Sequence, residues 1–265
     1  MRTGIQKTIR TRGRRRMLLM GSVLAAGVIT PLAVTAGTAD APETGTTART
    51  AAAPLGEKAA PPAAKAPPAA KARPYGVDVS HHDKGFDWSQ TKLGFGIAKA
   101  TEGTAHKDTT FTRNWTQIQQ NGLVRGAYHY GRPKNDPVRE ADHYLRVVTS
   151  AGLEKGDLLI LDLETTDGRS AREVNGWAKR WLERVQQKTG VKPMFYSSRS
   201  FAEEHGKGLG EYPLWVAHYG RPPGKVSAPS PWKQWAIHQY AATDHDHNVS
   251  RLSADQLREL GYKAA

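Results

Sequence analysis

Two acids, two residues apart, close the most apolar run of the chain, Leu158-Leu-Ile-Leu-Asp-Leu-Glu164. Side chains alternate along a strand, so Asp162 and Glu164 share one face while Leu161 and Leu163 share the other. Packing two carboxyls side by side costs stability unless one is protonated or both are well hydrogen-bonded. A carboxyl raised in this way suits a general acid working near neutral pH. The bland alternative is a pair of solvated acids opening a loop, and Asp-x-Glu is common enough to allow it. Its place at the end of an apolar strand favours the chemical reading.

Three further acids stand at or near the ends of strand-like runs. Asp78 lies in Tyr75–Val79, Glu102 follows Ala98-Lys99-Ala100-Thr101, and Asp246 follows the run ending at Tyr240. Tyr128, His129, Tyr130, Tyr196, Trp215, Tyr219 and Tyr240 fall in similar places. Aromatic faces beside carboxylates suit sugar rings, whose C–H surfaces stack while their hydroxyls bond to acids. About half of such aromatics are ordinary core residues. Two histidine clusters, His81-His82 and His245-Asp246-His247, could join Asp78 in a divalent-metal site. Neighbouring histidines do not easily share one ion, so they read as solvated loop residues and no metal or other cofactor is expected.

These acids need a scaffold that brings distant strand ends together. Candidate strands are 75–79, 95–100, 126–130, 158–164, 193–197, 214–218 and 235–240. Candidate helices are 110–121, 137–151 and 171–189. In the last helix Val174, Trp177, Ala178, Trp181 and Val185 form one buried face. Strands alternating with helices imply parallel βαβ units, and seven or eight strands in so short a domain suit a closed barrel. After Thr189 the helices thin out, and Pro222, Pro223, Pro229 and Pro231 exclude a regular helix between the last two strands. An α/β barrel of lopsided form is expected, with its chemistry at the carboxyl ends of the strands.

All 21 aromatic residues lie at or after Tyr75, so the folded domain is expected over residues 75–265. Residues 1–39 carry seven basic side chains and no acid, with a basic stretch from Arg10 to Arg16 ahead of a mostly apolar one from Met17 to Leu32. Small residues follow, placing cleavage after Ala36 or Ala39, which reads as a secretory signal rather than a membrane anchor. Arg14-Arg15-Arg16 leaves twin-arginine export open. Residues 40–74 hold 13 Ala and 7 Pro, including the hexapeptide Ala-Pro-Pro-Ala-Ala-Lys twice, and read as an extended spacer. The formal charge of +13 is therefore concentrated outside the domain, whose 191 residues carry 26 basic and 22 acidic side chains. That balance argues against nucleic-acid binding. The absence of cysteine excludes thiol catalysis, zinc–thiolate sites and iron–sulfur clusters.

Residues 75–248 resemble glycoside hydrolase family 25, the muramidases also called Chalaropsis-type lysozymes. The resemblance rests on Gly76-Val-Asp-Val-Ser-His81, Phe86-Asp-Trp88, Lys99-Ala-Thr-Glu-Gly103, Asp108-Thr-Thr-Phe-Thr-Arg-Asn-Trp115 and Gly122-Leu-Val-Arg-Gly-Ala-Tyr-His-Tyr130. It continues through Leu161-Asp-Leu-Glu164, Phe195-Tyr-Ser197, Leu214-Trp-Val-Ala217 and Gln239-Tyr240. It implies a TIM-like, flattened α/β barrel of five β/α units followed by three strands. It also implies cleavage of the β-1,4 bond between N-acetylmuramic acid and N-acetylglucosamine in peptidoglycan. Carried over by motif, Glu164 is the general acid and Asp162 its partner, orienting the substrate N-acetyl group or stabilising positive charge. Asp78 and Asp246 match the other acids of the cleft, and Glu102 a supporting acid. Tyr128, His129, Tyr196, Trp215 and Tyr240 are expected to contact substrate. The family's closing Asp-x-Asn motif is followed here by Val249 and Ser250 rather than an aromatic, which leaves Asp244 as an alternative to Asp246. The connection from Trp88 to Phe95 is also short for the usual first helix.

The expectation is thus a monomeric, exported wall hydrolase with glycan strands as partner, and no membrane contact after signal cleavage. Two other readings stand beside it. A chitinase-like glycosidase also places Asp-x-Glu on a barrel strand but expects spaced acids ahead of the pair, where Leu158 to Leu161 supply none. A catalytically silent wall-binding module predicts lost acids at the mouth, where Asp78, Asp162 and Glu164 are all present.

Overall fold

The computed structural model describes residues 73–264 except Thr91, so the expected signal segment and nearly all of the spacer lie outside the described residues. The elements run β1 (Tyr75–Val79), β2 (Leu93–Glu102), β3 (His106–Lys107), α1 (Phe111–Gln120), β4 (Val124–Tyr130), α2 (Pro137–Ser150) and β5 (Leu158–Asp162). They continue with α3 (Ala171–Thr189), β6 (Met194–Ser198), α4 (Arg199–His205), β7 (Leu214–Ala217), β8 (Ile237–Ala242), β9 (Asp246–Ser250) and α5 (Ala254–Glu259).

Eight of the strands close a ring, because β1 pairs in parallel with β2 on one side and antiparallel with β9 on the other. Strands β2, β4, β5, β6, β7 and β8 follow in parallel around the ring, and β9 alone reverses. β3 is a short hairpin arm on β2. The barrel is therefore the expected one, with two refinements. Turns occupy residues 80–90 where the first β/α unit would carry a helix, and α5 closes the chain.

Period-two alternation sorts the strands into two cores. Val77 and Val79, Ala98 and Ala100, and Leu159, Leu161 and Leu163 face outward, against Trp115, Tyr144, Val174, Trp177, Trp181 and Val185 of the helices. Phe95, Ile97, Tyr128, Leu158, Ile160, Tyr196, Trp215 and Ile237 fill the barrel. Gly76 is required by this packing: a Cβ there would sit 2.4 Å from the Phe95 ring. The longest helix, α3, has both ends set by sequence. Ser170 and Glu173 form a reciprocal capping box at its start, and Gly190 leaves it in the left-handed region at φ 72°.

Candidate active site

The carboxyl ends of the parallel strands define the mouth, and strand parity decides which side chains reach it. Asp162 shares the inward face of β5 with Leu158 and Ile160, while Leu159, Leu161 and Leu163 pack outward. β5 ends at Asp162, so Glu164 stands two residues beyond the strand, exposed, where the chain turns toward α3. Asp78 faces inward from β1, is 6% exposed, and lies directly opposite Asp246 of β9.

Asp78 is held by amides. Its Oδ2 accepts from Gln239 Nε2 at 2.8 Å and from Asn248 Nδ2 at 2.7 Å. Each amide is fixed in turn by a second donor. Asn248 Oδ1 accepts from Trp215 Nε1 at 2.8 Å, and Gln239 Oε1 accepts from the hydroxyls of Tyr196 at 2.7 Å and Tyr219 at 2.5 Å. Burial, reinforced by the negative charge of Asp246, pushes the Asp78 carboxyl well above the usual carboxylate range, and the two amide donors offset this in part.

Three tyrosines register the remaining acids. Burial raises the Tyr196 hydroxyl, and the charges of Glu164, Asp162 and Asp78 raise it further. Tyr219 is raised by burial, then by Asp246, Asp78 and Glu164, and Tyr130 by burial, then by Asp162, Glu164 and Glu102. Five acids from β1, β2, β9 and the end of β5 therefore act on one electrostatic neighbourhood. Local sequence brings only Asp162 and Glu164 together; closure of the ring gathers Asp78, Glu102 and Asp246 around them.

Glu102 reaches the mouth through a β-bulge. Lys99 pairs with inward-facing Tyr128, but Thr101 pairs with His129, leaving Ala100 as the extra residue. The shift in parity puts Lys99 and Glu102 on the same side, their Nζ and Oε2 2.7 Å apart, with Lys99 Nζ 4.9 Å from the centre of the Tyr130 ring. Arg132 donates to Glu102 at 3.0 Å and in two-pronged fashion to Asp167 at 2.9 and 2.7 Å. Partial burial works to raise Glu102, but Lys99 and Arg132 outweigh it and hold the carboxyl below its ordinary range. Asp167 sits at φ 46°, a left-handed conformation that Asp tolerates better than most residues, three residues after Glu164. The Arg132 clamp thus ties the loop carrying Glu164 to the β2 edge of the mouth.

Two expected substrate contacts are corrected. His129 is fully buried on the outward face of β4, between Thr101 Oγ1 at 2.8 Å and Glu140 Oε2 at 2.7 Å, and stacked on Trp181. A side chain with no exposed surface beneath a helix cannot touch a glycan. Tyr240 is the extra residue of a bulge in β8, between Gln239 and Ala241, which carries its ring to the outside beside Tyr75 and His247. Tyr128 and Trp215 face inward but are only 7% and 1% exposed, so they support the floor of the mouth. Tyr219 is 46% exposed and offers an aromatic face there. Asp244, the alternative to Asp246, lies in an exposed turn with its carboxylate bound to His245 at 3.0 Å and His247 at 2.9 Å. Gln239 and Asn248 carry no charge and have no role in the sequence reading; the signal there was their place in the Gln239-Tyr240 and Asp246-x-Asn248 segments, and their pairing across β8 and β9 beside Asp78 comes from the fold.

Comparison with known proteins identifies the family and the fold. The family model of glycosyl hydrolases family 25 matches residues 77–249. The chain is 36% identical over 201 residues to the uncharacterized protein YegX of Escherichia coli K12, covering 69% of this chain and 72% of that protein. It is 30% identical over 218 residues to lysozyme M1 of Streptomyces globisporus, covering 72% of each. The crystal structure of a bacterial lysozyme from Streptomyces coelicolor superposes with a TM-score of 0.65 at 29% identity, over 72% of this chain and 98% of that one. The acid-lined barrel mouth and the family match over nearly all of the described strands converge on one conclusion: this chain belongs to glycosyl hydrolase family 25 and is a glycoside hydrolase.

Proposed function

We propose that the protein is a 1,4-β-N-acetylmuramidase, hydrolysing the bond between N-acetylmuramic acid and N-acetylglucosamine in peptidoglycan. The observation that carries this reading is the gathering of Asp78, Asp162, Glu164 and Asp246 around Tyr196 and Tyr219 in a chain of this family. The names of two relatives, lysozyme M1 and the N,O-diacetylmuramidase of Arthroderma benhamiae, point to the same substrate class.

In this reading Glu164, exposed beyond the strand end, donates its proton to the glycosidic oxygen as the bond to the anomeric carbon breaks. The substrate's own acetamido oxygen attacks that carbon, and Asp162 orients the acetamido group and stabilises the positive charge it acquires. The Glu164 carboxylate then takes a proton from the water that opens the cyclic intermediate, and the configuration is retained. Asp78 and Asp246 line the far side of the mouth, where a raised carboxyl on Asp78 can donate a hydrogen bond to a sugar. Tyr219 and Tyr196 supply surface for the glycan. The N-terminal segment and spacer would carry the domain out of the cell and into the wall, where the modest positive charge of the domain assists encounter with anionic polymers.

The test offers purified chain with peptidoglycan and, separately, chitin oligomers. The expected result is turbidity loss and new reducing ends from peptidoglycan, and none from chitin. Preference for chitin oligomers, or sedimentation with the wall without any turbidity loss, would replace the proposal with one of the two competing readings.

A further inference from the structure

Among the described residues, outside the cluster of acids at the mouth, one group of metal-ligating side chains is drawn together from separate segments. His106 ends the turn of the β2–β3 hairpin and Asp108 follows two residues later, the spacing that puts two side chains on one face of an extended chain. His81 arrives from the loop after β1. Its backbone N–H donates to Asp108 Oδ2 at 3.0 Å, and its ring Nδ1 lies 2.8 Å from the same oxygen. One donor atom from each of His81, His106 and Asp108 lies within 4.8 Å of the others.

The surroundings hold this geometry in place. The Asp108 side chain has no exposed surface, and its Oδ1 is occupied by the backbone N–H and hydroxyl of Thr110 at 2.9 and 2.7 Å. That fixes the carboxylate and aims Oδ2 at His81. His143 Nε2 lies 3.1 Å from the backbone carbonyl of His106 and braces the hairpin from α2. His81, Glu102, Gly103, His106, Arg132 and Lys134 line a solvent-accessible depression of about 430 Å³, wide enough to admit a hydrated ion. The positive charge of Arg132 in that wall is already met by Glu102 and Asp167.

We infer that His81, His106 and Asp108 form a binding site for a divalent transition-metal ion of the zinc class, apart from the catalytic acids. Two imidazoles and a carboxylate are a donor set suited to zinc, with further positions left for water. Donors on a tetrahedral zinc ion stand roughly 3.3 Å apart, so the His81–Asp108 pair opens by about half an ångström and exposed His106 closes by rotating its side chain. The ion takes the place of the His81–Asp108 side-chain hydrogen bond, with His81 bound as a neutral imidazole whose one proton sits on the other ring nitrogen. Occupied, the site cross-links the β1 loop to the β2–β3 hairpin at the rim of the mouth. It is independent of the proposed muramidase chemistry, which assigns no step to a metal.

The experiment titrates Zn²⁺ by calorimetry into the tag-free chain, with His106→Ala and His245→Ala alongside. His106 is exposed, so its replacement leaves the fold intact, which circular dichroism of the metal-free variant checks. The second variant controls for the Asp244–His245–His247 turn, whose donor atoms also lie within 4.8 Å of one another but come from one short segment. The expected result is one Zn²⁺ per chain, an affinity reduced by more than ~tenfold in His106→Ala, and little change in His245→Ala. Zn²⁺ should also raise the melting temperature of the wild type and not of His106→Ala. No binding by the wild type, or binding that survives His106→Ala unchanged, overturns the inference.

Discussion

Both ends of the barrel bury a carboxylate, and they hold it in opposite ways. At the foot, Asp157 accepts two hydrogen bonds from Arg125 at 2.8 and 2.6 Å, and the guanidinium lies 3.8 Å from the centre of the Trp115 ring. At the mouth, Asp78 is met by the amides of Gln239 and Asn248 and stands opposite Asp246. Burial pushes both carboxyls up and a neighbouring acid adds to it at each end, Glu154 at the foot and Asp246 at the mouth. The difference is that a full positive charge, Arg125, offsets part of the rise at the foot, and only neutral amides do so at the mouth. A carboxylate paired with a guanidinium serves the fold. One that faces a like charge with only neutral donors around it keeps a proton equilibrium that chemistry can use.

That contrast can be broken by substitution at either end. The largest expected effect is at the mouth: Glu164→Gln should lower kcat on purified cell wall by roughly 10²–10⁴-fold, the range of general acid catalysis, with wall binding retained. Because Glu164 is exposed, its melting temperature should match the wild type; wild-type-like turnover would remove Glu164 from the mechanism. Arg125→Ala at the foot should do the reverse. Leaving Asp157 buried without its partner should cost about 3–5 kcal/mol in denaturant unfolding, while kcat per folded molecule stays near wild type.

Asp78→Asn sharpens the comparison through pH. A carboxyl raised in the folded state binds its proton there at pH values where the unfolded chain, with an Asp pKa of about 3.9, has released it. The contribution of Asp78 to stability therefore falls as pH rises from that value through the raised folded-state pKa, and is constant above it. Asp78→Asn should flatten that slope in a series of melting curves, and an unchanged slope would mean that Asp78 is not the raised group. The smallest effect expected is from Asp244→Asn, whose carboxylate is 67% exposed and turned toward two histidines. Activity should stay within about twofold, as for a surface substitution away from the site. A loss comparable to that of Asp246→Asn would make Asp244 the cleft acid.

What was legible in the sequence follows the same division. The strand at Leu158–Asp162 announces itself as a continuous apolar run buried on both faces, and the helix at Ala171–Thr189 by the period that burial on one face imposes. β9 does not: Asp246-His-Asn-Val-Ser250 has little apolar alternation, because its inward positions carry the polar groups that serve Asp78. α4 and α5, at seven and six residues, are too short to show a helical period. Among site residues, the acids were visible as charges near strand ends. His129 and Tyr240 were misplaced for local reasons, since parity and a bulge turn each of them outward, and neither device leaves a mark in residue type. Gln239 and Asn248 acquire meaning from β8 and β9 closing against β1, a contact spanning 161 and 170 residues from Asp78.

A muramidase is defined by the bond it cuts. Mass spectrometry of the soluble products from digested peptidoglycan, after reduction of the new ends, identifies the sugar that carried the released anomeric carbon. Reduced N-acetylmuramic acid is expected at those ends. Reduced N-acetylglucosamine there would contradict it.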